Sequence, residues 1–474
     1  MTKSPSQCFI NGSWCSSNSR ASFKVINPAT NELLAEVPSL TKQQVDDAIH
    51  SANLAFQEWR KLPARQRAGF LREIGQSLLV RQDECAHLIT TEQGKPLKEA
   101  RAEVVYAANY FLWFAEEAMR IHGDIIPSDA VSKRILVLKQ PIGVAAAITP
   151  WNFPIAMLAR KMGAALAAGC TFIAKPAPET PLSALFLGIL CQEAKLPPGV
   201  VNIITGDAEM IGQRLMNSEV VRKVSFTGST EVGKLLLRQS AETVTKLTLE
   251  LGGNAPCIIL DDADLPKAID GILFGKYRNA GQTCVCINRF LVHSRIRADF
   301  EALLIERSQK LIVGNGSDEA TDIGPLISDE AVQKVTGLVN GAISEGARLL
   351  LGNPTSSRFM SPIILGGVTR QMQIWREEIF GPVCTIATFD SEVEAIALAN
   401  DTIYGLAAYV YGQDLSRLLV ISEQLDFGMV GINDTAISCV QAPFGGVKQS
   451  GFGREGSTYG IDDYLVLKYL SVQM

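Results

Sequence analysis

Histidine is scarce in this 474-residue chain. There are four, at positions 50, 87, 122 and 293, and none stands in a motif-like stretch. A histidine-based catalytic triad or a histidine metal site is therefore not expected. No basic run of five or more residues occurs, and the net charge is −5 with a pI near 5.6. Nucleic acid and anionic membrane surfaces are poor partners for such a chain. Long apolar runs are missing too. The longest, such as 143–148 and 182–191, fall far short of the roughly 20 residues a bilayer requires. The polar start, 1–6, carries Pro5 and has no apolar stretch behind it, so a signal peptide is not expected. Ten cysteines lie at scattered spacings without zinc-finger pairs. They make no disulfide framework and fit a reducing compartment, so a cytoplasmic location is expected.

What is present is ordinary globular composition, 47% hydrophobic and 20% charged. The length calls for two or three packed units. The first third reads as helices. Thr41 and Gln44 have capping-box spacing, and Val45, Ala48, Ile49, Ala52, Phe56 and Trp59 recur at helical period. Pro63 suits the first turn of a second helix, and a third runs over about 97–121, stopping near Gly123. From residue 143 the period changes. Short apolar runs at 143–148, 170–174, 200–204, 223–226 and 246–249 alternate with helical stretches. That alternation predicts a parallel, doubly wound α/β sheet, which binds ligands at the carboxyl ends of its strands. A second α/β block starts near Gly253, with strands at 255–260 and 289–292. Two extended runs, 132–139 and 464–472, fit neither block and have no obvious partner. Such an edge needs covering, either by another subunit or by charge and solvent.

Several motifs fall at predicted strand ends. Pro150-Trp151-Asn152-Phe153-Pro154 follows the first strand and Lys175-Pro176 the second. Phe226-Thr227-Gly228-Ser229 leads from the fourth into a helix, and Glu250-Leu251-Gly252-Gly253-Asn254 closes the fifth. The Gly228–Gly233 turn opens a helix, where free N–H groups suit a pyrophosphate or simply form a tight cap. Cys284, in Gly281-Gln282-Thr283-Cys284-Val285-Cys286, sits in a polar, glycine-flanked segment suited to a reactive thiolate. Taken alone, a cysteine is more often an inert core residue. Glu250 stands among glycines at a strand end, a place for a general base or an ordinary surface carboxylate. Asn152 offers an amide to a developing oxyanion, or holds the turn before Pro154.

Together with Glu377-Glu378-Ile379-Phe380-Gly381-Pro382 and Pro443-Phe444-Gly445-Gly446, this ordered set resembles the aldehyde dehydrogenase superfamily over essentially the whole chain. The resemblance implies a Rossmann-type cofactor domain (1–122 and 141–252), a second α/β catalytic domain (253–442), and a β oligomerisation arm with a C-terminal segment (123–140 and 443–474). It implies that Cys284 attacks an aldehyde, that Asn152 and the Cys284 backbone N–H hold the oxyanion, and that Glu250 activates the hydrolytic water. It places Trp151, Lys175, Pro178, Gly228, Ser229, Glu378 and Phe380 around NAD(P), requires no metal, and implies a homo-oligomer, dimer or tetramer.

In NAD-preferring members a glutamate three residues after the lysine commonly bonds the ribose. Pro178 stands there instead, so NADP is the expected cofactor with NAD as the second. Glu179, one residue further on, is the reservation, since a loop shift would let it reach the ribose. The stretches Arg278–Cys286 and Arg454-Glu455-Gly456-Ser457 look like the succinate semialdehyde dehydrogenase subfamily. By that resemblance Arg160, Arg278 and Ser438 bind the distal carboxylate of the substrate. Each arginine alone is as readily a snorkelling or surface side chain. Glutarate semialdehyde, one methylene longer, is the nearest competitor, because a methylene is worth only ~1–3 kcal/mol in a pocket. A coenzyme A-acylating relative is disfavoured by Glu250, and a non-catalytic protein on the same fold by the intact Cys284, Glu250 and Asn152. Cys286, two residues past the nucleophile, is a candidate redox partner for it, or a small apolar side chain beneath the loop.

Overall fold

The computed structural model describes residues 6–474. The expectation about a leader peptide falls mostly on residues 1–5, outside the described residues. Four short strands, Cys8–Ile10, Ser13–Cys15, Ser22–Ile26 and Leu33–Pro38, precede the first helix. Sequence periodicity did not reveal them: Cys8–Ile10 and Ser13–Cys15 have only three residues each, and Lys24 and Glu36 interrupt the apolar residues of the other two.

The helix Lys42–Trp59 opens on the expected capping box. Thr41 Oγ1 accepts from Gln44 N at 3.3 Å, and Thr41 N donates to Gln44 Oε1 at 3.2 Å. Its apolar stripe, from Val45 to Trp59, is buried. Ala64–Val80 follows Pro63. A helix that periodicity missed, Gln82–Gln93, comes next and ends on Gly94 in the left-handed region, φ 97°. Its polar sequence hides an amphipathic face, and its last residues, Glu92 and Gln93, turn inward and are buried, as is Lys95 just beyond the cap. The third expected helix runs over Leu97–Glu117 and tightens into a short 3₁₀ turn, Ala118–Arg120.

The doubly wound sheet is present. Its parallel centre has the spatial order Lys246–Glu250, Val221–Thr227, Val144–Ile148, Thr171–Lys175, Val201–Ile203. The chain builds outward from Val144–Ile148 in one direction and then crosses to Val221–Thr227 on its other side. The carboxyl ends of these two neighbours form the topological switch point, where such sheets hold ligands. Antiparallel strands extend both edges, Cys8–Ile10 and Ser13–Cys15 at one and Gly451–Phe452 at the other. The helix Pro154–Ala168 is buried along its whole length. Its many alanines and Gly163 let it lie close against Tyr110, Phe111 and Phe114.

A second sheet has the order Arg348–Leu351, Ile363–Gly366, Val383–Phe389, Ile287–His293, Ala255–Ile259, Ala407–Tyr411, Met429–Ile432, and only its first strand is antiparallel. The two extended segments expected to lack partners pair with each other. Leu465–Gln473 runs antiparallel to Lys133–Pro141, in register from Leu465↔Pro141 to Gln473↔Lys133, and Asp124–Ile126 completes a three-stranded sheet. Sequence could not show this, because 323 residues separate the ion-paired Lys139 and Asp462 at one end of it. Among the described residues, no helix is long and apolar enough to cross a membrane.

Candidate active site

The nucleophile candidate lies where two cavities meet. One, of about 340 Å³, opens at the switch point. It is lined by Trp151, Gly228, Ser229 and Glu250 from the first sheet and by Glu378 and Phe380 from across the cleft. The other, of about 470 Å³, lies on the opposite side, with Tyr106, Arg160, Arg278, Ser438 and Phe444 in its wall. Cys284 lines both, as do Phe153 and Met157. A reagent in one cavity thus meets a reagent in the other across a single thiol.

Two glycines make that junction. Gly281 has φ 75°, and a Cβ there would sit 2.3 Å from the Gly381 carbonyl oxygen. At Gly253 a Cβ would lie 2.3 Å from the carbonyl oxygen of Cys284. Only glycine allows so close a backbone approach. Part of Cys284 remains accessible, but its thiol is enclosed. Loss of hydration pushes its pKa up to about 12; Glu378 and Glu250 act in the same direction, while Arg160 and Arg278 oppose them.

Glu250 ends its strand, is buried, and lines the same cavity as the thiol. Neither of its carboxylate oxygens has a hydrogen-bond partner among the described residues. Burial raises its pKa well above the carboxylate range, helped by the like charge of Glu455 and opposed by Lys161, Arg160 and Arg454. A carboxyl that gives up protons reluctantly and has free lone pairs is suited to take one from water. Gly445 lies against it, and a Cβ there would come 2.9 Å from Glu250 Oε1. Asn152 sits in the turn before Pro154. Its Nδ2 donates to the Gln282 carbonyl at 3.0 Å, which ties it to the loop of the nucleophile and leaves its second amide hydrogen available.

On the switch-point side, Ser229 caps the helix Thr230–Ser240 by accepting from Val232 N, and Gly228 N donates to the Glu250 carbonyl. The free N–H groups of that first turn face an accessible rim. Phe380, at φ 59°, meets Trp151 edge-to-face at 5.6 Å. Glu378 accepts from Gly253 N at 2.9 Å, and burial raises its pKa to about 7. A glycine-rich helix start at one end and a buried carboxylate beside an aromatic pair at the other fit a dinucleotide. Lys175 and Pro178 are not in the cavity wall; Glu179 is. Burial lowers the pKa of Lys175, against the opposing charges of Glu179 and Asp207.

The substrate-side arginines differ. Arg160 is buried and committed: Nη1 bonds Glu455 Oε2 at 3.1 Å, Nη2 reaches Tyr106 Oη at 3.3 Å, and the guanidinium lies 4.4 Å from the Phe444 ring centre. Lys161, the next residue, pairs with the other Glu455 oxygen at 2.5 Å and donates to Thr227 Oγ1 at 2.7 Å. Sequence reasoning passed over Lys161, and it held Glu455 only as part of the stretch Arg454–Ser457, with no role of its own. Two adjacent cations in an otherwise apolar helix were the available signal. Arg278 has no carboxylate within ion-pair distance among the described residues. It lies over the rings of Phe153 and Phe274, at 5.4 and 5.1 Å from their centres. Cys286 lines neither cavity. Its sulfur accepts from Lys276 Nζ at 3.3 Å, so a bridge to Cys284 would leave that buried ammonium only the Ile287 carbonyl. Among the described residues, no cluster of three or more His, Cys, Asp or Glu is placed to hold a metal ion.

Known proteins resemble this chain over nearly its whole length. The family model described as "Aldehyde dehydrogenase family" matches residues 14–470. The chain is 49% identical over 469 residues to glutarate-semialdehyde dehydrogenase of Pseudomonas putida, covering 99% of this chain and 98% of that protein. It is 49% identical to succinate-semialdehyde dehydrogenase [NADP(+)] of Escherichia coli, covering 98% and 97%. The crystal structure of succinate-semialdehyde dehydrogenase from Burkholderia pseudomallei superposes with a TM-score of 0.97 at 50% identity, over 99% of this chain and 98% of that one. Cleft, paired cavities and full-length match agree: the chain belongs to the aldehyde dehydrogenase family.

Proposed function

We propose that the protein oxidises an acid semialdehyde, succinate semialdehyde in the first place, with NADP as preferred cofactor and NAD as the second. The observation that supports this best is Arg278. It is a cation with no carboxylate at ion-pair distance among the described residues, in the wall of the cavity that ends at Cys284, which Ser438 also lines. Burying a guanidinium edge without an anion is costly, and a substrate carboxylate supplies one. Arg160, already bonded to Glu455, shapes the wall and adds positive potential at longer range. The relatives named for succinate and glutarate semialdehyde are equally similar to this chain, and both substrates end in a carboxylate.

Cys284 Sγ gives up its proton to solvent and, as the thiolate, adds to the aldehyde carbon to give a thiohemiacetal oxyanion. The Asn152 amide and the Cys284 backbone N–H receive that charge. When bound, the nicotinamide cofactor supplies the hydride acceptor, and a thioester on Cys284 remains. Glu250 takes a proton from water as the water attacks that thioester, releasing the acid and the thiol. NADP preference is supported by Pro178 in place of a ribose-binding glutamate. Glu179 in the cavity wall favours retained use of NAD. We further propose a cytoplasmic homo-oligomer: all ten cysteines are unpaired, which fits a reducing compartment, and the third sheet presents apolar side chains.

The test is a panel of aldehydes assayed with both cofactors at 340 nm, on the wild type and on Arg278→Ala. For succinate semialdehyde the substitution is expected to raise KM roughly tenfold to hundredfold, the scale of one lost charge-assisted contact. A neutral aldehyde of similar length should change less than about threefold. Equal losses for both would remove Arg278 from carboxylate binding.

A further inference from the structure

Gln93 and Lys95 come from neither sheet and line neither cavity, yet both lead by hydrogen bonds to the turn that holds Asn152. The Asn152 carbonyl accepts from Lys95 Nζ at 2.7 Å and from Asn279 Nδ2 at 3.0 Å. The same Asn279 amide donates to the Gln282 carbonyl at 3.2 Å, which also accepts from Asn152 Nδ2 at 3.0 Å. Asn279 thus ties the backbone of Asn152 to the backbone of the nucleophile loop, and the Asn152 side chain closes the ring. This works only with the Asn279 nitrogen facing the two carbonyls. A flipped amide would set its oxygen against both.

Gln93 fixes the flip. Its Nε2 donates to Asn279 Oδ1 at 2.8 Å, and its own orientation is fixed because its Oε1 accepts from Lys95 N at 3.0 Å. The loop needs such support: Asn279 and Ala280 are successive left-handed residues, at φ 54° and 55°, which asparagine tolerates and alanine adopts only with strain. Lys95 is braced by Glu103 at 2.5 Å, and the other Glu103 oxygen accepts from Ile155 N and Ala156 N at the start of the helix that follows Asn152. All of these groups are buried, where unpaired polar atoms are costly and paired ones are rigid.

We propose that Gln93 is a positioning residue for the oxyanion donor: acting through Asn279, it holds the Asn152 amide at the distance and tilt the tetrahedral intermediate requires. The inference rests on the reading of Asn152 as that donor. Lys95 holds the backbone of the same turn, and Gln93 sets the polarity of the network. Removing the Gln93 donor lets the Asn279 amide turn, and Asn152 then loses its fixed direction.

The experiment is a double-mutant cycle between Gln93→Met, which keeps the length of the side chain but cannot donate, and Asn152→Ala. Loss of an oxyanion donor costs about 10²–10³ in kcat, so Gln93→Met is expected to lower kcat roughly tenfold to hundredfold, with the dissociation constant for NADP unchanged. In the Asn152→Ala background the same substitution should have almost no further effect. If Asn152→Ala alone leaves kcat intact, the reading of Asn152 fails. If Asn152→Ala is damaging but the two losses multiply, Gln93 acts elsewhere and the proposal is overturned; an undiminished kcat in Gln93→Met overturns it too. Should Gln93→Met not fold, Asn279→Gly, which keeps the left-handed backbone accessible, replaces it in the same cycle with the same expectations. Hydrolysis of a nitrophenyl ester by Cys284, which needs the oxyanion site but no hydride acceptor, should show the same non-additivity.

Discussion

Cys284 is one of ten cysteines, and nothing in its own chemistry sets it apart. Its position does: it is shared by two cavities, under a pKa pushed up to about 12 by burial and by the carboxylates Glu378 and Glu250. A raised thiol pKa means that the neutral form dominates at pH 7 and the thiolate fraction grows about tenfold per pH unit. Inactivation of the cofactor-free enzyme by iodoacetamide should therefore accelerate about tenfold per unit from pH 7 to pH 10 without levelling. An ordinary thiol, with a pKa near 8.5, would level by about pH 9.5. Mass analysis of the Cys284 peptide separates its reaction from that of the exposed Cys439. A plateau reached by pH 7 would mean that the resting thiol is already ionised and that a cation on this side of the cleft outweighs burial.

At the scale of elements, the strand ends were legible and the pairings between distant elements were not. Alternating apolar runs gave the parallel sheet, and the polar, glycine-rich residues after each run gave Asn152, Gly228, Ser229 and Glu250, because a core strand has no other use for them at its carboxyl end. The roles of Trp151, Glu378 and Phe380 came from family resemblance, and the structure brings them to the same cavity. Hidden from sequence were contacts across long separations, such as Lys161 with Glu455 and Gln93 with Asn279, since sequence records which charges exist but not which of them meet. The turn Pro443–Gly446 shows what an element can contribute without a functional side chain. Gly445 leaves room for Glu250, and a methyl group there would also meet the Gly453 carbonyl at 2.7 Å. Gly445→Ala is expected to cost ~1–3 kcal/mol in stability, as overpacking does. It should also displace the Glu250 carboxylate, so hydrolysis slows more than acylation. Rapid mixing should then show a burst of reduced cofactor equal to the enzyme concentration, followed by a slower steady rate. A burst-free trace at full rate would show that Glu250 tolerates the crowding.

For the whole molecule, the third sheet is the part that a single chain leaves unfinished. Leu465–Gln473 pairs along its full length with Lys133–Pro141, yet its other edge has no partner among the described residues, and Leu467 and Tyr469 stand on one face at 70% and 57% exposure. Ile125, on the strand at the opposite edge, is 78% exposed. Unpaired edge N–H and C=O groups beside large apolar side chains favour association, because each such side chain gains ~1.5–3 kcal/mol when buried. The sheet stands apart from the two cavities, so association through it would leave the chemistry of each chain intact. Sedimentation equilibrium of the wild type is expected to give a dimer or tetramer. The double substitution Leu467→Lys, Tyr469→Lys should shift it to monomer at micromolar concentration and lower the thermal midpoint, since folding and assembly are linked by mass action. Activity per chain, measured directly after dilution at a temperature below that midpoint, should persist. A monomeric wild type, or an oligomer indifferent to both substitutions, would place the contact on another surface and leave these side chains facing water.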